Sequence, residues 1–231
     1  MTPLVKKLLI GLGVAFVLVA VLDLFGLHLY PLLALDLSYG AGVPYSLAWS
    51  PFTYWAIYPP LPSALLDVLL TMLMIYFFLC PFETTFGPKK VVILCIIGIL
   101  SAATVAVGLA FVFPRPPLVG ASAISAVAFG AFPVLFRDRK IMLFPLPIMM
   151  SAWAALGIGL AISALMAVLY RDVHVFVVHG TAMLAGVAYA KWLTRPKDPV
   201  RATKKRARRS SGPDLRVIDG GADDEPPRWL N

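Results

Sequence analysis

A serine and a histidine interrupt two long apolar runs of this chain. Ser122 lies in Gly120-Ala121-Ser122-Ala123, and His179 opens His179-Gly180-Thr181-Ala182. Ionisable groups are costly in hydrocarbon, so a histidine inside a span is a functional candidate by default. A serine hydroxyl beside an imidazole makes a nucleophile and its base. The imidazole would take the serine proton during attack and return it to the leaving amine. The chemistry implied is intramembrane hydrolysis, provided two spans hold the side chains at one depth. Other polar residues read differently. Ser125 competes with Ser122, but serine in a membrane helix usually packs or bonds to its own helix. His174 sits at an outer boundary and reads as interfacial, and Asp23 reads as a structural partner for another helix.

The elements that must position the pair follow from composition. The 231 residues are 60% hydrophobic and 14% charged, with mean hydropathy +0.84. A soluble domain carries nearer a quarter charged residues. The chain therefore reads as all-α, a polytopic bundle of six transmembrane helices. The apolar stretches cover roughly 8–26, 62–82, 91–113, 118–136, 141–169 and 173–193. The first has no small-residue cleavage site after it and reads as a retained helix. Pro145 and Pro147 make the fifth helix begin late in its stretch. No internal repeat points to a transporter, and no line of charges marks an ion path.

Lys and Arg set the orientation. With the N-terminus inside, the inner segments carry Lys6 and Lys7, Lys89 and Lys90, Arg137, Arg139 and Lys140, and the basic tail; the outer loops hold Arg115 and Arg171. Both termini are then cytoplasmic, as in a bacterial inner membrane. The fourth and sixth spans enter from outside, so Ser122 and His179 sit roughly 5–10 Å below the outer boundary. Residues 27–60, rich in Tyr and Trp, read as an interfacial loop with rings at headgroup level.

Residues 1–195 form the membrane domain and 196–231 a disordered basic and acidic tail. Its cluster Lys204, Lys205, Arg206, Arg208 and Arg209 reads as a contact for anionic lipid. It has no fold or aromatic platform for nucleic acid. Cys80 and Cys95 support neither a disulfide framework nor a zinc site, and no metal or organic cofactor is indicated.

Small residues recur every four positions at Ser122, Ala126 and Gly130, and again at Ala182, Gly186 and Ala190, with His179 one turn earlier. Such stripes let membrane helices approach closely, as a serine–imidazole hydrogen bond requires.

In order and spacing these residues resemble the six-span rhomboid intramembrane serine proteases, from about Trp49 to Ala190. Trp49 and Thr53-Tyr54 resemble the W-R-x-x-T-Y segment, with Ser50 in place of arginine. Glu83 and Gly87 resemble E-x-x-x-G. Gly120-x-Ser122 resembles G-x-S-G, and Gly130 falls at a further family glycine. His179 followed by Gly186 resembles the histidine segment, with Ala182 in place of its nearer glycine. The resemblance implies a Ser122–His179 dyad and a substrate that is itself a membrane helix, cut near the outer surface.

The departures concern the supporting residues. Asp67 and Thr71 stand where the family often has H-x-x-x-N, whose side chains stabilise the oxyanion. Thr71 can donate through its hydroxyl; Asp67 can do so only when protonated, and would otherwise repel the developing charge. Ala123 replaces the glycine after the nucleophile, and Ala126 replaces an aromatic residue. Two readings follow: a serine-type endopeptidase, or a rhomboid-like pseudoprotease that binds or escorts membrane proteins without cutting them.

Overall fold

The computed structural model describes residues 2–37, 48–58, 64–111, 115–137, 140–143, 148–169 and 173–195. Tyr39, Tyr45, Pro145, Pro147, Arg139, Arg171 and the tail from 196 lie outside them. The membrane unit ends at Thr194.

Among the described residues, five helices are long and apolar enough to cross a bilayer: α1 (Pro3–Leu24), α4 (Ala64–Phe86), α5 (Pro88–Ala110), α7 (Ala152–Leu169) and α8 (Val173–Leu193). Between α1 and α4 the described residues form two single-turn helices, α2 (Tyr30–Leu33) and α3 (Ser50–Thr53), the strand β1 (Leu35–Leu37) and a 3₁₀ turn, Tyr54–Ala56. The strand β2 (Arg115–Leu118) precedes α6 (Ser122–Leu135), and the hairpin β3 (Lys140–Leu143) and β4 (Ile148–Ser151) precedes α7. The fifth helix thus starts late, at Ala152.

The surface is inverted relative to a soluble protein. Leu66, Phe77, Val14, Val168 and Leu184 are among many large apolar side chains left exposed on the long helices. A continuous coat of this kind belongs in hydrocarbon.

α6 departs from the span expected over 118–136. It has 14 residues, about 21 Å of helix against a hydrocarbon core of about 30 Å. No large apolar side chain of α6 is exposed, and Ala123, Ile124, Val127, Gly130, Ala131 and Phe132 are buried. A helix enclosed by its neighbours need not reach the bilayer surface, because protein satisfies its ends. Before α6 the chain runs extended, with β2 paired antiparallel to β1 through Leu35 and Leu118. It then turns at Gly120, whose φ of +87° favours glycine.

Close backbone contacts hold α6 in place. A methyl group at Gly186 would overlap the Val127 carbonyl, and one at Gly130 would overlap that of Met183. At Gly98 on α5 it would lie 2.5 Å from Val127 Cγ1 and 2.9 Å from the Ala123 carbonyl oxygen. Lipid gives little hydrophobic drive between helices, so this contact made by small residues supplies the cohesion.

Glu83 ties the far end of the bundle together. Its buried carboxylate accepts the Leu4 and Val5 N–H groups, each at 2.9 Å, where α1 begins with orphan donors. Gly87, at φ +80°, is the single residue between α4 and α5. Asp23 pairs with His28 just beyond α1, at 2.5 Å, and not with another helix.

Candidate active site

Ser122 is the first residue of α6. The amides at a helix N-terminus lack intrahelical acceptors and carry the positive end of the dipole. No side chain caps this terminus. Ser125 spends its hydroxyl on the Ser122 carbonyl at 2.8 Å, as expected of a serine bonded to its own helix. Ser122 makes no such bond, so the two serines are chemically distinct.

α6 and α8 run in the same direction. The N-terminus of α6 lies at the level of Thr71 on α4, because Tyr58 contacts both Thr71 and the Ala121 amide. Further along, the rings of Phe129 and Phe132 lie 5.0 and 5.1 Å from that of Phe78. α6 therefore runs parallel to α4, toward the Glu83 end. α8 ends there too, since the Tyr189 hydroxyl donates to the Lys90 carbonyl at 3.5 Å. Ser122 begins about 10 Å below the start of α4, seven residues in from Ala64.

Parallel helices touching at Val127–Gly186 and Gly130–Met183 bring the pair to one level. Ser122 precedes Val127 and Gly130 by five and eight residues; His179 precedes Gly186 and Met183 by seven and four. At 1.5 Å per residue the mean distances above the crossing are about 10 Å and about 8 Å. His179 is seven residues from Gly186, within about 20° of the same face. Ser122 lies about 80° round from Gly130, toward the margin of that face.

His179 Nε2 is buried and makes no hydrogen bond among the described residues. No hydrogen bond joins it to Ser122. An imidazole nitrogen left unsatisfied in the protein interior is costly and calls for an explanation; a base awaiting its proton donor is one. Catalytic hydrogen bonds are often open before substrate binds. His174, the second residue of α8, is buried and close enough to His179 to interact electrostatically. It stands at the start of α8 with its side chain enclosed by protein.

The supporting residues fall as follows. Gly120 donates its N–H to the Tyr54 carbonyl at 3.0 Å, which fixes the turn before Ser122. Ala123 is buried with its carbonyl toward Gly98. Thr71 is buried and hydrogen-bonds to Tyr58 and Asp67. Asp67 itself is exposed on the first turn of α4. Ser50, at the family's arginine position, is buried and its Oγ has no partner among the described residues.

Tyr54 and Tyr58 are the residues that sequence reasoning misplaced. The loop aromatics were expected at headgroup level, yet these two are 0% and 2% exposed. The Tyr54 hydroxyl donates to the Ile99 carbonyl on α5 at 3.0 Å, and Tyr58 accepts the Ala121 N–H at 3.0 Å. Burial pushes both phenols above their usual range and keeps them protonated. Trp49 and Phe52 remain exposed. The available signal was the Thr53-Tyr54 pair within the family-like segment.

The family model for the Rhomboid domain matches residues 52–196. The chain belongs to the rhomboid family. The match runs from Phe52, within α3, past the end of α8, and takes in Asp67, Thr71, Gly120, Ser122, Ala123 and His179. Together with the apolar helices it makes this an integral membrane protein of helical-bundle fold. No curated protein matches the chain.

Proposed function

We propose that this rhomboid-family protein is an intramembrane serine endopeptidase that cuts transmembrane substrates near the outer surface. Ser122 attacks the scissile carbonyl. His179 takes the hydroxyl proton and passes it to the leaving amine. The Ser122 and Ala123 amides, at the positive end of α6, receive the oxyanion. The observation that carries this reading is the bare, buried Nε2 of His179, level with a serine whose hydroxyl its own helix does not consume.

Both termini are cytoplasmic in this proposal, and the membrane is a bacterial inner membrane or its equivalent. The asymmetry of Lys and Arg supports that orientation. The basic tail then lies against anionic lipid.

A second reading, a pseudoprotease that binds membrane helices, draws on the missing Ser122–His179 hydrogen bond and on Asp67, exposed and bonded to Thr71. Labelling with a fluorophosphonate probe in detergent separates the two. The protease reading expects wild type to be labelled and Ser122→Ala and His179→Ala to be silent. Labelling that survives Ser122→Ala, or a wild type that never reacts, rejects this dyad.

A further inference from the structure

Thr71 and Asp67 depart from the family pattern, and the fold gives them a common neighbour. Thr71 is 5% exposed and hydrogen-bonds to Tyr58 on one side and Asp67 on the other. The Tyr58 oxygen also accepts the Ala121 N–H at 3.0 Å. The two ends fix the direction of this chain of bonds. An amide N–H can only donate, and an ionised carboxylate can only accept. With Asp67 ionised, Ala121 donates to Tyr58, Tyr58 to Thr71, and Thr71 to Asp67. In that state the single proton of Thr71 is committed to Asp67 and is not free for an oxyanion.

The ring of Tyr58 is held as firmly as its hydroxyl. Phe16 of α1 packs edge-on against it, with centroids 6.0 Å apart and planes at 89°. Its other contact is Gly120, where an added Cβ would lie 3.0 Å from Tyr58 Cε1. The residue thus touches both members of the Gly120-Ala121 turn that launches α6.

We propose that Tyr58, backed by Thr71 and Asp67, is a positioning residue: it fixes the Ala121 amide and so sets the N-terminal turn of α6 that carries Ser122. The proposal rests on the hydrolase reading for its effect on rate, though its structural content does not. It reassigns the two altered positions from oxyanion donors to supports of the nucleophile turn. With the Ala121 amide engaged, the Ser122 and Ala123 amides are the donors left for the oxyanion. Hydrogen-bonded chains of this kind are high-stakes in a dry interior, because removing one member strands the others.

The test uses the full-length protein in detergent micelles, as wild type, Tyr58→Phe, Thr71→Val, Thr71→Ser and the Tyr58→Phe/Thr71→Val double variant. Two quantities are read: the fluorophosphonate labelling rate, and amide hydrogen exchange over residues 119–123. Tyr58→Phe and Thr71→Val should each slow labelling about 10-fold or more and speed Ala121 exchange by a similar factor. The double variant should be no worse than Tyr58→Phe, and Thr71→Ser should behave as wild type. Losses that multiply in the double variant would assign Thr71 directly to the oxyanion and overturn the proposal. Unchanged Ala121 exchange in Tyr58→Phe would overturn it as well. If Tyr58→Phe does not fold, exchange must rise in Thr71→Val and not in Thr71→Ser, or the proposal fails. A wild type that is never labelled rejects the hydrolase reading instead, and the exchange data still decide the role of Tyr58.

Discussion

Replacing Gly186 by alanine adds one methyl group where α6 and α8 touch. The new Cβ would lie 2.9 Å from the Ala131 nitrogen and 3.0 Å from the Val127 carbonyl carbon, with the Val127 oxygen nearer still. Comfortable contacts between heavy atoms lie at about 3.5–4.0 Å, so the helices must part by about 1 Å. Overpacking of this kind costs about 1–3 kcal/mol of stability. The effect on rate should be larger, because a misplacement of about 1 Å in a catalytic pair can cost about 100-fold. Gly180 supplies the control. It is adjacent to His179 in sequence, yet a methyl there would meet nothing within 4 Å. Fluorophosphonate labelling and thermal unfolding in detergent should be followed for both variants. Gly186→Ala should label about 100-fold more slowly, with only a modest loss of stability. Gly180→Ala, nearer the histidine in sequence, should stay within about twofold of wild type, since it creates no clash. Normal labelling of Gly186→Ala would refute the claim that close approach of α6 and α8 aligns the dyad. Equal damage from both variants would refute it too.

Further outcomes follow from the same contacts. Ser125→Ala should label at the wild-type rate, since its hydroxyl is spent on the Ser122 carbonyl, and a silent Ser125→Ala would make it the rival nucleophile. Glu83→Ala strands the Leu4 and Val5 amides and should lower stability by about 1–3 kcal/mol in a denaturation experiment, with Glu83→Gln milder because it keeps an acceptor. Burial raises the Tyr54 phenol above its unfolded value. The stability it contributes is then complete below about pH 10, the ordinary tyrosine value, and is lost as pH rises toward its folded value. Unfolding followed from pH 8 to 11 should show that loss in wild type and a shallower one in Tyr54→Phe; identical profiles would remove Tyr54 from the account.

Class of molecule and candidate chemistry were both legible in the order of residues alone. Hydropathy has a length scale set by the bilayer, so α1, α4, α5 and α8 could be read within a few residues. The small residues at Gly130 and Gly186 announced a tight helix pair, because only backbone approach makes such residues useful in lipid. Ser122 and His179 stood out because polar groups in hydrocarbon need a reason. Three features emerge from the packed molecule alone. It shortened the fourth helix, because Ser122–Leu135 is wrapped by protein and its ends answer to neighbours rather than to membrane thickness. It separated Ser122 from Ser125, a distinction made by one intrahelical hydrogen bond that composition does not encode. And it drew Tyr54 and Tyr58 out of an aromatic loop into the base of α6. A tyrosine reads the same to a hydropathy scale whether it faces headgroups or a buried amide; which partner it finds depends on chain segments more than forty residues away.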